Sequence, residues 1–202
     1  MRTLGVSVRP SRRLLEACAA FGVGLRRERV EAECRFAAER AAGVLIRRLL
    51  PGRVAVVEGP SGSGKTLLLS ALSRRLRSRA LVMRRVSLVG RRRAVIDLVG
   101  DSTVRALSLL SRAGLADATI LARRPGELSD GQRWRLHLAM LLERAERRRD
   151  AWVMIDEYAG LLDAPTAMGV SLTLSRWARA SGSRVVVATV RAEAVRWLAP
   201  QL

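Results

Sequence analysis

The chain has 202 residues: 37 are basic (36 Arg and one Lys), 18 are acidic and one is His, giving a formal net charge of +19. With 49% apolar residues it has enough hydrophobic material for a core, which excludes a fully disordered chain; its length suits one domain of ordinary size. No stretch approaches the ~18 uninterrupted apolar residues of a membrane-spanning helix, and two cysteines, Cys18 and Cys34, are too few for a disulfide framework and read as reduced, half-buried thiols.

In chain order, Arg12-Arg13 ahead of an apolar run over 14–25 has the outline of a twin-arginine export signal. Glu16 interrupts that run and no small-residue cleavage site follows it. The segment therefore reads as an amphipathic helix over 11–20, ended by Phe21-Gly22, and the protein as cytoplasmic. Residues 26–42 predict a second helix, with Val30, Cys34, Ala37 or Ala38 and Ala41 on one face. This divides the chain into an N-terminal helical segment, 1–42, and an α/β domain, 43–202.

Residues 44–50 fit a helix or a strand, and Pro51-Gly52 a turn. The short apolar run 54–58 predicts a buried strand, followed by a Gly-rich loop and a helix over 65–77. Further strands are predicted over 80–88, 152–156 and 184–189. Helices are predicted over 102–112 (capped by Asp101 or Ser102 and closed by Gly114), 115–122, from Ser129 or Asp130 to about 147, 165–180 and 192–198. Strands alternating with helices predict a mainly parallel sheet with helices on both faces. The sequence shows no internal repeat and no low-complexity linker.

The firmest chemical signal is Gly59-Pro60-Ser61-Gly62-Ser63-Gly64-Lys65-Thr66, which fits the phosphate-loop pattern G-x-x-x-x-G-K-[ST] between a predicted strand and a predicted helix. Glycines let the backbone amides curl around phosphates, and the helix N-terminus adds its partial positive charge. Lys65 would neutralise the β and γ phosphates, and Thr66 would offer its hydroxyl to Mg²⁺. The chain has no Asn and only this one Lys among its basic residues, a bias toward Arg against which a retained Lys stands out.

Asp156 and Glu157 follow the apolar strand 152–155, at the strand end that faces the nucleotide in such folds. Alone, the pair would merely open a polar loop. Beside a phosphate loop, Asp156 reads as a Mg²⁺ ligand and Glu157 as the general base that polarises the attacking water.

Glu127-Leu128-Ser129-Asp130-Gly131-Gln132 lies just before a long helix, 24 residues from Gln132 to Asp156. It resembles the signature motif of ATP-binding-cassette (ABC) ATPases, L-S-G-G-Q, with Asp130 replacing the first glycine of the pair. Leu162-Asp163, six residues past Glu157, is similar to the D-loop of that family. The resemblance implies a P-loop fold of the ABC type and two ATP molecules sandwiched in a head-to-tail homodimer. In that dimer Ser129, Asp130, Gly131 and Gln132 would touch the γ-phosphate held by the other subunit. The 64 positions between Lys65 and Ser129 imply a shortened helical subdomain. Ile96-Asp97-Leu98-Val99-Gly100, Ala106-Leu107, Gly114-Leu115 and the stretch 127–136 resemble one group of ABC-type ATPases whose cassette is often joined to a predicted acetyltransferase domain. The likeness runs from about Phe21 onward and leaves nothing over for that second domain.

Two further residues expected from the resemblance are missing. Its only glutamines are Gln132 and Gln201, so the loop after the 80–88 strand lacks the Gln that senses Mg²⁺ and water. Val190 stands where the switch His should follow the strand 184–189, and it can neither bond the γ-phosphate nor orient Glu157. Losing one oriented contact of this kind costs ~10²–10³ in rate, which predicts a slow ATPase; Arg191 is the one neighbour able to substitute in part. The sole histidine, His137, reads as a helix-surface or packing residue, and Trp134, Trp177 and Trp197 as core or interface. Phe21 and Phe36 are the only aromatics available ahead of the phosphate loop to stack on adenine, and both read as core.

Residues 59–96 contain nine Arg and Lys65 and no acid, so the Arg-rich stretch 74–93 is a candidate nucleic-acid backbone surface. Three functions follow: a slow ATPase, a hydrolysis-deficient binding module that clamps nucleic acid or a protein partner when ATP-bound, and, ranked last, the ATPase subunit of a transporter.

Overall fold

The computed structural model describes residues 2–5, 11–26, 29–83, 88 and 92–202. Strands β1 (Arg2–Gly5) and β2 (Val23–Arg26) pair in parallel, with helix α1 (Arg12–Ala20) between them in the chain. Ser11 caps α1, its hydroxyl accepting from the Leu14 amide at 3.3 Å. The segment read as two helices, over 11–20 and 26–42, thus also contains two short strands. Cys18 is buried on α1, whereas Cys34 is exposed rather than half-buried.

Helix α2 (Arg29–Arg48) runs unbroken through position 42, where the sequence reading divides the chain, and takes in most of the ambiguous segment 44–50. It packs on α3 (Lys65–Leu76), with Ala38 and Ala42 joining the same buried cluster as Leu68, Leu69 and Leu72. Small residues on α2 permit that close approach. The helix on either side of position 42 buries into one core.

The main sheet has four parallel strands in the order β3-β6-β5-β4: β3 (Val54–Glu58), β4 (Ala80–Val82), β5 (Trp152–Ile155) and β6 (Arg184–Thr189). β4 is shorter than the expected 80–88, and 84–87 lie outside the described residues. Helices α4 (Thr103–Arg112), α5 (Ala118–Leu121), α6 (Asp130–Glu146), α7 (Ala164–Ser181) and α8 (Glu193–Leu198) complete the fold.

Period-two alternation along the strands sorts the core into two layers. Val54, Val153, Ile155, Val185 and Val187 point into the layer that holds Leu109 and Leu110 of α4, Leu138 and Leu142 of α6 and Leu174 of α7. Ala55, Trp152, Met154, Val186 and Ala188 point into the layer under α2 and α3. Both faces of the sheet are therefore apolar, which is why the strands read as continuous hydrophobic runs. The free side of β3 is covered by residues 201–202: the Gln201 amide donates to Val54 O at 2.8 Å, and the Val56 amide to Leu202 O at 2.9 Å.

Because all four strands run the same way, the loops that leave β3, β5 and β6 emerge at one edge. Glu58 pairs with Thr189 and Ile155 with Val187 at that edge.

Met154 is fully buried at the centre of the layer under α3. Met154→Ala should lower the unfolding free energy by about 2–5 kcal/mol, read from the shift of a urea transition.

Candidate active site

The loop 59–64 leaves β3 at Glu58 and enters α3 at Lys65. Gly64, at φ 88°, occupies the helix N-cap in a left-handed conformation and offers no side-chain acceptor. The first amides of α3 are thus left without a side-chain cap at the mouth of the loop, the arrangement that suits an anion. The Lys65 ammonium folds back over this loop, donating to Gly59 O at 2.6 Å and Pro60 O at 2.7 Å.

Asp156 leaves the end of β5 and meets the first turn of α3. The Thr66 hydroxyl donates to Asp156 Oδ2 at 2.7 Å, and the Glu157 amide donates to Asp156 Oδ1 at 2.9 Å. Both carboxylate oxygens of Asp156 are therefore oriented. Glu157 (φ 49°) and Ala159 (φ 54°) adopt the left-handed region although neither is glycine. This turn leaves Glu157 exposed at the rim and directs Tyr158 inward.

Tyr158 anchors the turn. Its amide donates to Ala188 O at 2.8 Å, its hydroxyl shares a hydrogen bond with Ser171 Oγ at 3.0 Å, and its ring meets Trp134 edge-on at 5.6 Å. Burial pushes its phenol well up, so Tyr158 is a neutral packing group and not a proton donor to the cleft. The strain of the two left-handed residues is offset by these buried contacts.

Ser61, Gly62, Gly64, Lys65, Thr66, Asp156 and Glu157 line one cleft of about 580 Å³ together with Thr189 and Val190. Thr66 and Asp156 supply a hydroxyl and a carboxylate, the all-oxygen donor set that Mg²⁺ uses when phosphates and waters complete its shell. The residues present fit that ion.

The signature residues lie outside this cleft. Ser129 and Gln132 form a reciprocal cap on α6: the Gln132 amide donates to Ser129 Oγ at 3.2 Å, and the Ser129 amide to Gln132 Oε1 at 3.0 Å. Asp130, largely exposed, pairs with Arg133 at 2.9 Å. Gly131 sits against the 161–163 turn, where a Cβ would come within 3.0 Å of Leu161 O. Asp163 caps α7, accepting from the Thr166 amide at 2.8 Å and the Thr166 hydroxyl at 3.0 Å; these bonds hold its carboxyl below the usual range. The signature turn and the 161–163 turn are thus in contact, though separate from the phosphate loop.

Val190 projects at the rim of the cleft, 64% exposed, with no polar atom to offer it. Arg191 turns away from the cleft: its guanidinium donates to Leu162 O at 2.8 Å and its amide to Thr189 Oγ1 at 3.0 Å. Thr189 in turn donates to Tyr158 O at 3.1 Å. Thr189 and Tyr158 escape a sequence reading because they act on backbone carbonyls, which leave no residue pattern. Phe21 and Phe36 are 83% and 65% exposed, not core, and neither lines the cleft. His137 is buried on α6, a packing position, and Trp134 and Trp177 are core as expected.

In the Arg-rich stretch, Arg74 and Arg75 grip Glu39 at 2.6 and 2.7 Å, and Arg79 pairs with Asp150 at 2.9 Å. The Arg74 and Arg75 bonds hold the Glu39 carboxyl below its usual range. Arg84, Arg85 and Arg91 lie outside the described residues.

No protein-family model matches the chain. Solved structures similar to it include the dimeric structure of MJ0796, a bacterial ABC transporter cassette, at TM-score 0.58 and 20% identity over 74% of this chain and 80% of that one. A dimeric post-hydrolysis state of the same cassette, bound to ADP and Pi, matches equally. RNase-L inhibitor matches at TM-score 0.59 and 19% identity, over 74% of this chain and 31% of its own length. The chain has the P-loop fold of ABC ATPase cassettes.

Ser129→Ala removes the hydroxyl from the α6 cap and should cost about 1 kcal/mol of stability, seen as an earlier thermal melt.

Proposed function

We propose that the chain is an ABC-type ATPase, soluble and cytoplasmic, that binds Mg-ATP at residues 59–66 and hydrolyses it slowly at the interface of a head-to-tail homodimer. The observation that carries this reading is the 2.7 Å hydrogen bond from Thr66 to Asp156. It joins the phosphate loop to the strand-end carboxylate inside the cleft that also holds Lys65 and Glu157, on an ABC cassette fold.

Each group has a task in this reading. The uncapped amides at the start of α3 donate to the phosphates. Lys65 exchanges its two loop carbonyls for β- and γ-phosphate oxygens. Thr66 and Asp156 would hold Mg²⁺, which would supply neutralising charge to those oxygens. Glu157 accepts a proton from water as that water attacks the γ-phosphorus, and the bond to the ADP oxygen breaks to release phosphate. Val190 offers no hydrogen bond to the reacting group, so the step runs slowly.

The second active-site half comes from the partner. Ser129 and Gln132, at the exposed N-terminus of α6, would meet the γ-phosphate on the other subunit, and Asp163 would border the same interface. The Asp130 carboxylate is tolerable there because Arg133 pairs with it. MJ0796, a cassette of the same fold, is described as dimeric, which supports a dimer here.

A second reading rests on Val190: an ATP-gated binding module with no useful turnover. Phosphate release separates the two. Glu157→Gln should abolish phosphate release while leaving ATP binding intact, whereas Lys65→Ala should lose ATP binding. Wild-type protein that binds Mg-ATP yet releases no more phosphate than Glu157→Gln is the clamp. Val190→His should raise turnover by about tenfold or more, by restoring an oriented contact to the γ-phosphate.

A further inference from the structure

A second cleft, of about 630 Å³, opens between α4, the end of α6 and the C-terminal half of α7. Arg105, Arg112, Arg148 and Arg176 line it around a single acid, Glu146. The Glu146 carboxylate is only 15% exposed and is fully engaged: it accepts from Arg105, from Arg112 and from the Trp177 indole N–H at 2.8 Å. One saturated carboxylate among four guanidinium groups leaves three excess positive charges in the cleft. Arg176 is exposed and has no hydrogen-bond or ion-pair partner among the described residues.

The positive surface continues beyond the cleft. The Arg148 guanidinium donates to Ser78 O, which brings the turn Arg77–Arg79 alongside. Arg144, Arg147 and Arg149 are exposed at the same end of α6, Arg147 paired with Glu143 at 2.7 Å. All of this lies at the strand-start end of the sheet, where β4, β5 and β6 begin, opposite the edge that carries the phosphate loop.

We propose that this cleft docks the phosphate backbone of a nucleic acid. The charge is too extended for one small anion, which two or three guanidinium groups would saturate. A polyphosphate backbone answers a row of such groups with evenly repeated charge, and the net charge of +19 draws it in. The site lies outside the stretch 74–93 singled out by sequence, of which only the turn Arg77–Arg79 adjoins it; Arg74 and Arg75 are paired with Glu39 of α2. It does not depend on ATP hydrolysis.

The test is fluorescence anisotropy of a labelled oligonucleotide against the full chain over a range of salt. Arg176→Glu should weaken binding about tenfold, and Arg148→Glu with Arg176→Glu further still. The slope of log K against log[salt] should fall by about one for each arginine removed. Arg196→Glu, the same charge change on α8 and outside the cleft, should shift binding by less than about threefold. Arg176→Gln serves in place of Arg176→Glu if the reversal melts early. The proposal is overturned if wild-type protein does not bind the oligonucleotide at low salt, or if Arg196→Glu weakens binding as much as Arg176→Glu. Displacement of the oligonucleotide by polyglutamate at equal charge concentration also overturns it, in favour of an acidic protein.

Discussion

Thr66 and Asp156 are 90 positions apart and hydrogen-bonded. That contact depends on one constraint, the common direction of β3, β6 and β5. β6 lies between the other two and pairs with both in parallel, so the residues that follow β3 and β5 emerge at the same edge, two strand spacings apart. The first turn of α3 bridges that gap. The loop that leaves β6 emerges in the middle, which puts Val190 at the cleft rim between the phosphate loop and Glu157. The position matters because of this topology; in the proposed function its identity would decide how much help the reacting group receives.

The exposed Glu157 needs a rigid mount, and the mount is the residue beside it. A left-handed backbone at Glu157 and again at Ala159 costs on the order of 1–3 kcal/mol each. Tyr158 offsets this by burying its ring and satisfying its amide and hydroxyl. Its carbonyl accepts from Thr189, whose oxygen also accepts from the Arg191 amide, and the Arg191 guanidinium holds Leu162 O. The same turn, at Leu161, presses on Gly131 of the signature. A continuous set of contacts therefore runs from the turn that carries Glu157, through the end of β6, to the start of α6. The residue proposed as general base and the surface proposed to serve the other subunit are mechanically joined within one chain.

The parts of this site that could be read in the sequence are the local ones. The loop 59–66 has fixed spacing, Ser129 and Asp163 are cap residues ahead of apolar periods, and Asp156 ends a run that only a two-sided buried strand would tolerate. The errors share a cause as well. β1 and β2 are four residues each and include glycine and arginine, too short for a period of two to register. α2 crosses position 42 because its burial comes from alanines facing α3, a signal that depends on the partner helix. Phe21 and Phe36 resemble core residues by type alone, yet leucine, alanine, valine and tryptophan already fill both layers. Thr189, the Arg191 guanidinium and the Tyr158 amide donate to main-chain carbonyls, which every residue carries, so no pattern of side chains announces them.

The two helices that begin at the proposed dimer surface end at the arginine cleft. α6 starts at Asp130, beside Ser129, and reaches Glu146; α7 starts at Ala164, beside Asp163, and reaches Ser181. At 1.5 Å per residue their 17 and 18 residues each span roughly 25 Å, so a ligand in the cleft cannot touch the nucleotide. It can act only by displacing whole helices. Glu146 binds Arg105 and Arg112 of α4 and Trp177 of α7, tying three helices together at the cleft, while Gly131 against Leu161 ties two of them at the other end. In the proposed function such a unit would move as a body, and a small tilt set by closure around ATP would change the separation of guanidinium groups at the far end. A coupling of that kind is reciprocal by linkage: an anion that fitted the ATP-bound spacing better would also tighten ATP binding.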